Sequence, residues 1–477
     1  MPWTQVYDPL GHWWISTLVA ALPIVVLLTL LAGFRVRPHL CAMAGALTAF
    51  LVSVAIFHMP ATLATASLLY GVAFGILKIA WIVVAAVFPY DISVDTGQFE
   101  IMKHSVAAIT PDRRLQLLLV AFCFGALMEG AAGFGAPVAI AGAFMIGLGF
   151  KPFQAAVLNL IANTAPVAWG AIGTPVHTLA LVTALPESDL NAMIGRILPF
   201  TAIIVPFWLV RAMVGWAETF EVLPAILVVG GSFAATQWFW SNHVDSNLHH
   251  ARLCSGRLGG ALPAHVTRAW PVVAKPTPEP AKYDFNWLSA TGTGCFLAAI
   301  IAGLALGMNP RGLARVFRHT LYRMQFAVMA ISFMLGLGFI TRYSGMDAVL
   351  GLAFTRTGAM FPFFGTLLGW LGVALTGSDT SSNALFGGLQ RITAQKTGLD
   401  PILMCAANSA GGVMGKMVDA QSIVVATAAT NQVGNEGKIF NHVFWHSVAL
   451  VSIVGLIVVM YAYLFPGAVP HGLTFVH

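Results

Sequence analysis

The chain has 477 residues, 58% of them hydrophobic and 9% charged, with a mean hydropathy of +0.81 and a formal net charge of +6. A soluble domain carries roughly 25% charged residues, so the composition excludes an ordinary soluble protein and points to an all-α polytopic membrane protein. Stretches 152–186, 222–244, 357–378 and 439–477 contain no Asp, Glu, Lys or Arg, and they lack the strict alternation of a membrane β-barrel.

In chain order, the apolar runs predict spans near 13–33, 40–57, 66–88, 115–128 continuing into 130–149, 153–183, 194–215, 222–240, 286–306, 324–341, 358–376, 400–430 and 440–465. Together they give about 11–13 transmembrane segments, each near the roughly 20 residues a bilayer requires. Residues 1–12 carry Asp8 and no Lys or Arg, and the first run is long enough to span, so no cleavable signal peptide is expected. Residues 91–114 mix charged and apolar positions and suit an interfacial helix. Residues 245–284 form an atypical Pro/Arg/His-rich linker between a membrane half at 1–244 and another at 285–477. His249, His250 and His265 in that linker show no ligand spacing, so no metal site is expected.

Cys41, Cys123, Cys254, Cys295 and Cys405 are scattered, with no CxxC pair, and read as small packing residues. No basic stripe is interleaved with aromatics, so nucleic acid is not an expected partner. No nucleotide fingerprint, HExxH or nucleophile–base pairing appears, so neither a cofactor nor an enzyme is expected.

Lys and Arg mark the cytoplasmic side. Arg35 and Arg37 follow the first span, Lys103, Arg113 and Arg114 follow the third, and Arg311, Arg315, Arg318 and Arg323 precede the 324–341 span. The N-terminus is then outside. Arg342 and Arg356 run against this pattern.

Two distant stretches repeat one another. Gly125 and Gly130 pair with Gly372 and Gly377 at an offset of 247, and Asn163 and Gly170 pair with Asn408 and Gly415 at an offset of 245. Each copy interrupts apolar sequence with Gly, Asn and Ser/Thr, a pattern expected of discontinuous helices or re-entrant hairpins around a transport site. Charge topology has the first copy entering the membrane from inside and the second from outside, as inverted repeats.

The candidate chemistry lies in these copies. Glu129 is the only acid between Arg114 and Glu187, and Asp379 is the only charge between Arg356 and Arg391. A carboxylate isolated in hydrocarbon usually lines a cavity and works there. Both are candidates for proton coupling, and Asp379 is equally a candidate helix cap. Lys416 either faces a carboxylate of substrate, Asp379 or Asp419, or snorkels to the interface. Asn163, Thr164, Ser378, Thr380, Ser381, Asn383, Asn408 and Ser409 offer side-chain donors and acceptors, and Gly130, Gly133 and Gly135 allow close backbone approach. These are the candidate substrate contacts. His177 reads as a packing residue before a proton relay.

The motifs Cys123-Phe-Gly-Ala-Leu-Met-Glu-Gly-Ala-Ala-Gly-Phe-Gly-Ala-Pro-Val-Ala139, Asn163-Thr-Ala-Pro-Val-Ala-Trp-Gly170, Leu375-Thr-Gly-Ser-Asp-Thr-Ser-Ser-Asn-Ala-Leu-Phe386 and Gly411-Gly-Val-Met-Gly-Lys-Met417, with the opening Tyr7-Asp-Pro-Leu-Gly-His-Trp13, resemble the L-lactate permease family. The resemblance covers about 1–245 and 284–465 and departs at 248–283, where typical members are longer. Asp419-Ala420 also departs from the family's usual Ser-Pro. The resemblance implies a bacterial inner-membrane symporter that takes up L-lactate, D-lactate or glycolate with protons. The alternatives are a passive monocarboxylate channel and an inactive product of an internally deleted permease gene.

Overall fold

The computed structural model describes residues 3–30, 34, 36–131, 133, 136–244, 256–258, 266–269, 271, 277–278, 283–285, 291–432 and 435–472. Helix boundaries follow residues whose chemistry fixes them. Pro310 and Pro401 open helices where a missing N–H costs nothing. Asn309 accepts from Gly312 N at 2.7 Å, and Asp400 accepts from Ile402 N at 2.8 Å, so each caps its helix. Gly345, Gly377 and Gly398 end helices in the left-handed region, at φ 87°, 73° and 72°.

Among the described residues, six helices are long and apolar enough to cross a membrane. They are Arg113–Ala131, Glu187–Met213, Leu223–His243, Pro310–Ser344, Met346–Ala374 and Glu436–Tyr463. A bent pair, Pro152–Ala162 and Val167–Thr183, turns by 67° and makes a seventh crossing if it is one broken span rather than a re-entrant loop. Shorter apolar helices occupy Trp13–Leu27, His39–Ala55, Ala61–Leu77 and Thr293–Ala305. The long spans are fewer than the apolar runs because several runs are broken or short. Residues Gln98–Ala107 form a helix where an interfacial one was predicted.

The helix Pro310–Ser344 packs along Ala61–Phe74 and the π-helical turn Gly75–Ala80. Glycine permits this contact: a Cβ on Gly71 would lie 2.6 Å from Leu335 O, and one on Gly75 would lie 2.6 Å from Ser332 Cα. Asp91, on the next helix Trp81–Asp95, is buried against Pro310–Ser344. It accepts from Thr320 Oγ1 at 2.5 Å and pairs with Arg323 at 2.8 Å.

Two features place the polar tips. Arg113 Nη1 donates to Gly149 O at 3.0 Å, so the helix Arg113–Ala131 starts level with the end of Ala136–Gly147. These helices form one hairpin. The second hairpin is Phe361–Thr376 followed by Asp379–Thr397. Arg391, near the end of its return leg, donates to Thr183 O, the end of the bent pair. The helix Asp379–Thr397 was not among the predicted spans. Most of its polar residues are buried inside the protein, so hydropathy does not reveal it. Gln390 Nε2, for example, donates to Gly365 O at 2.6 Å.

The largest buried apolar cluster centres on Ala155–Ala162 and Ile402–Met414, the first legs of two interrupted helices. A second joins the N-terminal helices to Pro310–Ser344 and Asp379–Thr397. Arg342 and Arg356, discordant in the charge pattern, have local work. Arg342 Nη1 donates to Val182 O at 2.7 Å at a helix C-terminus, and Arg356 stacks 3.6 Å over the Trp13 ring.

The described parts of the linker are short strands. Val266–Arg268 pairs with Trp3–Thr4 and with Thr277–Pro278, and Gly256–Leu258 pairs with Tyr283–Phe285. Ala269 N donates to Tyr7 Oη at 3.2 Å, and Lys396 Nζ donates to Pro271 O. The linker thus docks against the N-terminus and the second hairpin. His249, His250 and His265 lie outside the described residues.

Candidate functional site

The first tip forms where the helix carrying Glu129 ends. Gly133 turns the chain at φ 61°. A Cβ on Gly170 would sit 2.8 Å from Glu129 Oε1, so the carboxylate rests on bare backbone that only glycine leaves open. The bent pair supplies that backbone. Ala171, Ile172 and Gly173 all lie in the left-handed region, at φ 44°, 59° and 74°. Such conformations cost roughly 1–2 kcal/mol per non-glycine residue. The break exposes irregular peptide groups beside a carboxylate, an arrangement tolerated within a membrane where the backbone is buried in protein or lines a cavity.

Glu129 is 3% exposed, and its Oε2 has no hydrogen-bond partner among the described residues. Asn163 lies close enough to interact with that carboxylate, yet its Oδ1 and Nδ2 also make no well-aligned bond. Thr164 is turned inward and donates to Ile161 O at 2.9 Å. Gly130 sits in the helix Gly125–Ala131 away from the cavity. Gly135 lies outside the described residues.

The second tip is built differently. Gly377 ends one helix, and extended Ser378 caps the next by accepting from Ser381 N at 3.3 Å. The cap is therefore Ser378, and Asp379 is the first helical residue. There its charge faces the helix's positive end, and its side chain belongs to a buried network. Asp379 Oδ2 accepts from Ser409 Oγ at 2.5 Å and from Asn383 Nδ2 at 3.4 Å. Asn408 Nδ2 donates to Asn383 Oδ1 at 2.9 Å, and Gln390 Nε2 donates to Asn408 Oδ1 at 3.2 Å. Asn383 Nδ2 also donates to Pro175 O at 3.1 Å, which ties this network to the bent pair.

Lys416 does not snorkel. It is 3% exposed, donates to Gly377 O at 2.7 Å and lies 3.4 Å from Asp419 Oδ2. Its charge acts on both Glu129 and Asp379.

The two tips meet. One cavity of about 30 Å³ is bounded by Glu129, Gly133, Gly170 and Ala171 on one side and by Ser378, Asp379, Thr380 and Lys416 on the other. That is room for roughly two waters. The sequence-predicted residues thus divide into cavity walls and a supporting shell of Ser381, Asn383, Asn408 and Ser409. His177 is elsewhere, paired with Glu187 at 2.9 Å. Sequence reasoning missed Gln390 and the kink at 171–173. Gln390 gave no signal, whereas Gly170, Gly173 and Pro175 frame the kink.

A family model described as L-lactate permease matches residues 16–259 and 254–465. The chain belongs to that family. Among its relatives are the glycolate permease GlcA of Escherichia coli (strain K12), 41% identical over 98% of this chain and 99% of the relative, and the L-lactate permease of Salmonella typhimurium, 40% identical over 98% and 100%. The L-lactate permease of Bacillus subtilis is 36% identical over the same shares. The family is one of transporters, and this member is a multi-pass membrane protein rather than an enzyme. The GlcA alignment covers 553 positions against 477 residues, so at least 76 positions have no counterpart here. The family match breaks and restarts at 254–259, inside the segment that departs from the family pattern.

Proposed function

We propose that this L-lactate permease homologue is a proton-coupled symporter of small hydroxy-monocarboxylates, L-lactate with D-lactate and glycolate, in the bacterial inner membrane. The observation that carries the reading is the cavity between two repeated tips, with a carboxyl on each side and one ammonium. The substrate carboxylate sits between the tips. Lys416, the side chains of Ser378 and Thr380, and freed peptide N–H groups at the first tip hold it. Asn163, Thr164, Ser381, Asn383, Asn408, Ser409 and Gly133 shape that seat.

Glu129 or Asp379 carries the proton. One ammonium offsets one carboxylate, and an unpaired buried ion costs several kcal/mol, so a proton on Glu129 or Asp379 lowers the cost of crossing. Lys416 already fills the cradle made by Gly377 O and Asp419, where a sodium ion would otherwise find its oxygens. This favours protons over sodium.

A three-carbon hydroxy acid exceeds the present cavity, so the tips separate to admit it, as alternating access requires. The hairpin legs support an inverted relation of the two copies. One hairpin starts and ends at the Arg113 level, and the other ends where Arg391 meets Thr183. On this reading 1–244 and 285–477 are the two membrane halves, and 245–284 is the linker joining them.

The test is uptake of labelled L-lactate into vesicles containing the full chain. An inside-alkaline pH gradient should drive uphill accumulation, and dissipating the gradient should abolish it. Equilibration without accumulation would mean a passive channel. No flux at all would mean that the shortened chain is inactive.

A further inference from the structure

We propose that Asp419 is an internal counter-anion of the substrate site, which neutralises Lys416 while the site is empty and yields it to the substrate's carboxylate. This rests on the transport reading above. Asp419 is fully buried. Its Oδ1 accepts from Ser422 N at 2.7 Å, which caps the helix Ala420–Ala429 and fixes the side chain in place. Its Oδ2 makes no hydrogen bond among the described residues and stands 3.4 Å from Lys416 Nζ. A charge-assisted hydrogen bond closes to about 2.7–2.9 Å. The pair therefore attracts without bonding.

Lys416 has three donors to offer. One goes to Gly377 O, and the ammonium borders the cavity. A carboxylate entering that cavity can approach to bonding distance, which Asp419, held by its cap, does not reach. The other acids facing Lys416 are poorer competitors. Asp379 Oδ2 is engaged by Ser409 and Asn383, its free Oδ1 makes no ion pair with Lys416 among the described residues, and Glu129 belongs to the opposite wall. Asp419 thus balances the lysine when no substrate is present, and the empty carrier returns across the membrane without a bare buried cation. The same attraction sets a ceiling on substrate affinity.

Asp419→Asn separates these roles, because the amide oxygen retains the cap and the volume while the charge is lost. In the reconstituted full chain, the KM for L-lactate should fall about tenfold. L-lactate exchange, which needs no empty return, should stay within about twofold, while net uptake falls about tenfold. Introduced into Lys416→Gln, the same change should have no further effect on KM. Should Asp419→Asn not fold, Asp419→Ser, which also offers a capping oxygen, gives the same readout. A wild-type KM and an unchanged ratio of net uptake to exchange would overturn the proposal and leave Asp419 a cap. An undiminished effect in the Lys416→Gln background would overturn it too. A wild-type chain that neither binds nor moves L-lactate would instead defeat the transport reading itself.

Discussion

At the second tip, Asp379 is held by Ser409 and Asn383, Asn383 by Asn408, and Asn408 by Gln390. At the first tip, Glu129 Oε2 and both polar atoms of Asn163 have no such bonds among the described residues. Each tip leaves one carboxyl oxygen unbonded among the described residues, Glu129 Oε2 and Asp379 Oδ1, but only the second ties its other oxygen into a side-chain network. An unsatisfied buried group costs roughly 1–3 kcal/mol. A protein retains such groups where something else completes them, and at the first tip the cavity contents are what can. The comparison divides the labour: the second tip is a wall held by its own side chains, and at the first tip the asparagine as well as the carboxyl has bonds for ligand or proton to make up.

The largest effect tests whether both carboxyls belong to the mechanism. Glu129→Gln and Asp379→Asn should each lower pH-driven L-lactate uptake by roughly a hundredfold or more, about 2.7 kcal/mol in the transport step. Their stabilities should differ on truncation, since the amide of Asp379→Asn still offers Ser409 an acceptor. Asp379→Ala strands Ser409 Oγ and Asn383 Nδ2, whereas Glu129→Ala breaks no well-aligned bond of Oε2. Thermal unfolding in detergent should show a lower midpoint for the first only. Normal proton-coupled uptake in both amide variants would remove the carboxyls from the mechanism.

The matched asparagines sharpen the same contrast. Asn408→Ala strands Asn383 Oδ1 and should cost about 1–3 kcal/mol. Asn163→Ala removes an amide with no well-aligned bond among the described residues and should cost less, while lowering uptake more. Equal stability losses would mean that the first tip has partners of its own.

The repeat was legible because Gly and Asn have few uses inside an apolar run, and because Glu129, Asp379 and Lys416 were isolated charges. The cavity that joins them follows from that pattern. Three things were not legible. The helix Asp379–Thr397 carries Gln390, Arg391 and Lys396, and its burial depends on partners brought from other helices, such as Gly365 and Thr183. The kink at Ala171 and Ile172 uses residues with no left-handed preference, so packing imposes it. Whether a tip is wired depends on distances between halves, to which composition is blind.

The paired glycines extend the comparison to backbone. A Cβ on Gly415 would lie 2.4 Å from Trp370 O, whereas one on Gly170 would meet Glu129 Oε1, the end of a flexible side chain, at 2.8 Å. Gly415→Ala must move backbone and should destabilise by about 1–3 kcal/mol. Gly170→Ala displaces only the carboxylate. It should leave the unfolding midpoint near wild type while uptake drops, roughly tenfold. A large stability loss at Gly170 would make that tip as rigid as the other.

The smallest effect concerns how the open tip is anchored. Asp112 caps the helix that leads to Glu129, accepting from Arg114 N at 2.8 Å. Hydrogen bonding from the Arg114 side chain holds its carboxyl below the ordinary carboxylate range. The charged form is therefore favoured by folding. Its contribution is present above the unfolded value near pH ~3.9 and is lost as pH falls through the lower folded value. The pair is solvent-accessible, so the contribution is tenths of a kcal/mol. Asp112→Asn keeps the cap and should flatten that acid limb of the stability–pH curve while changing the midpoint at neutral pH very little. Because Asp112 stands at the opposite end of this helical run from Glu129, the same variant should leave L-lactate uptake at neutral pH near wild type. A marked uptake defect would show that the first tip depends on the charge at its base as well as on its own open groups.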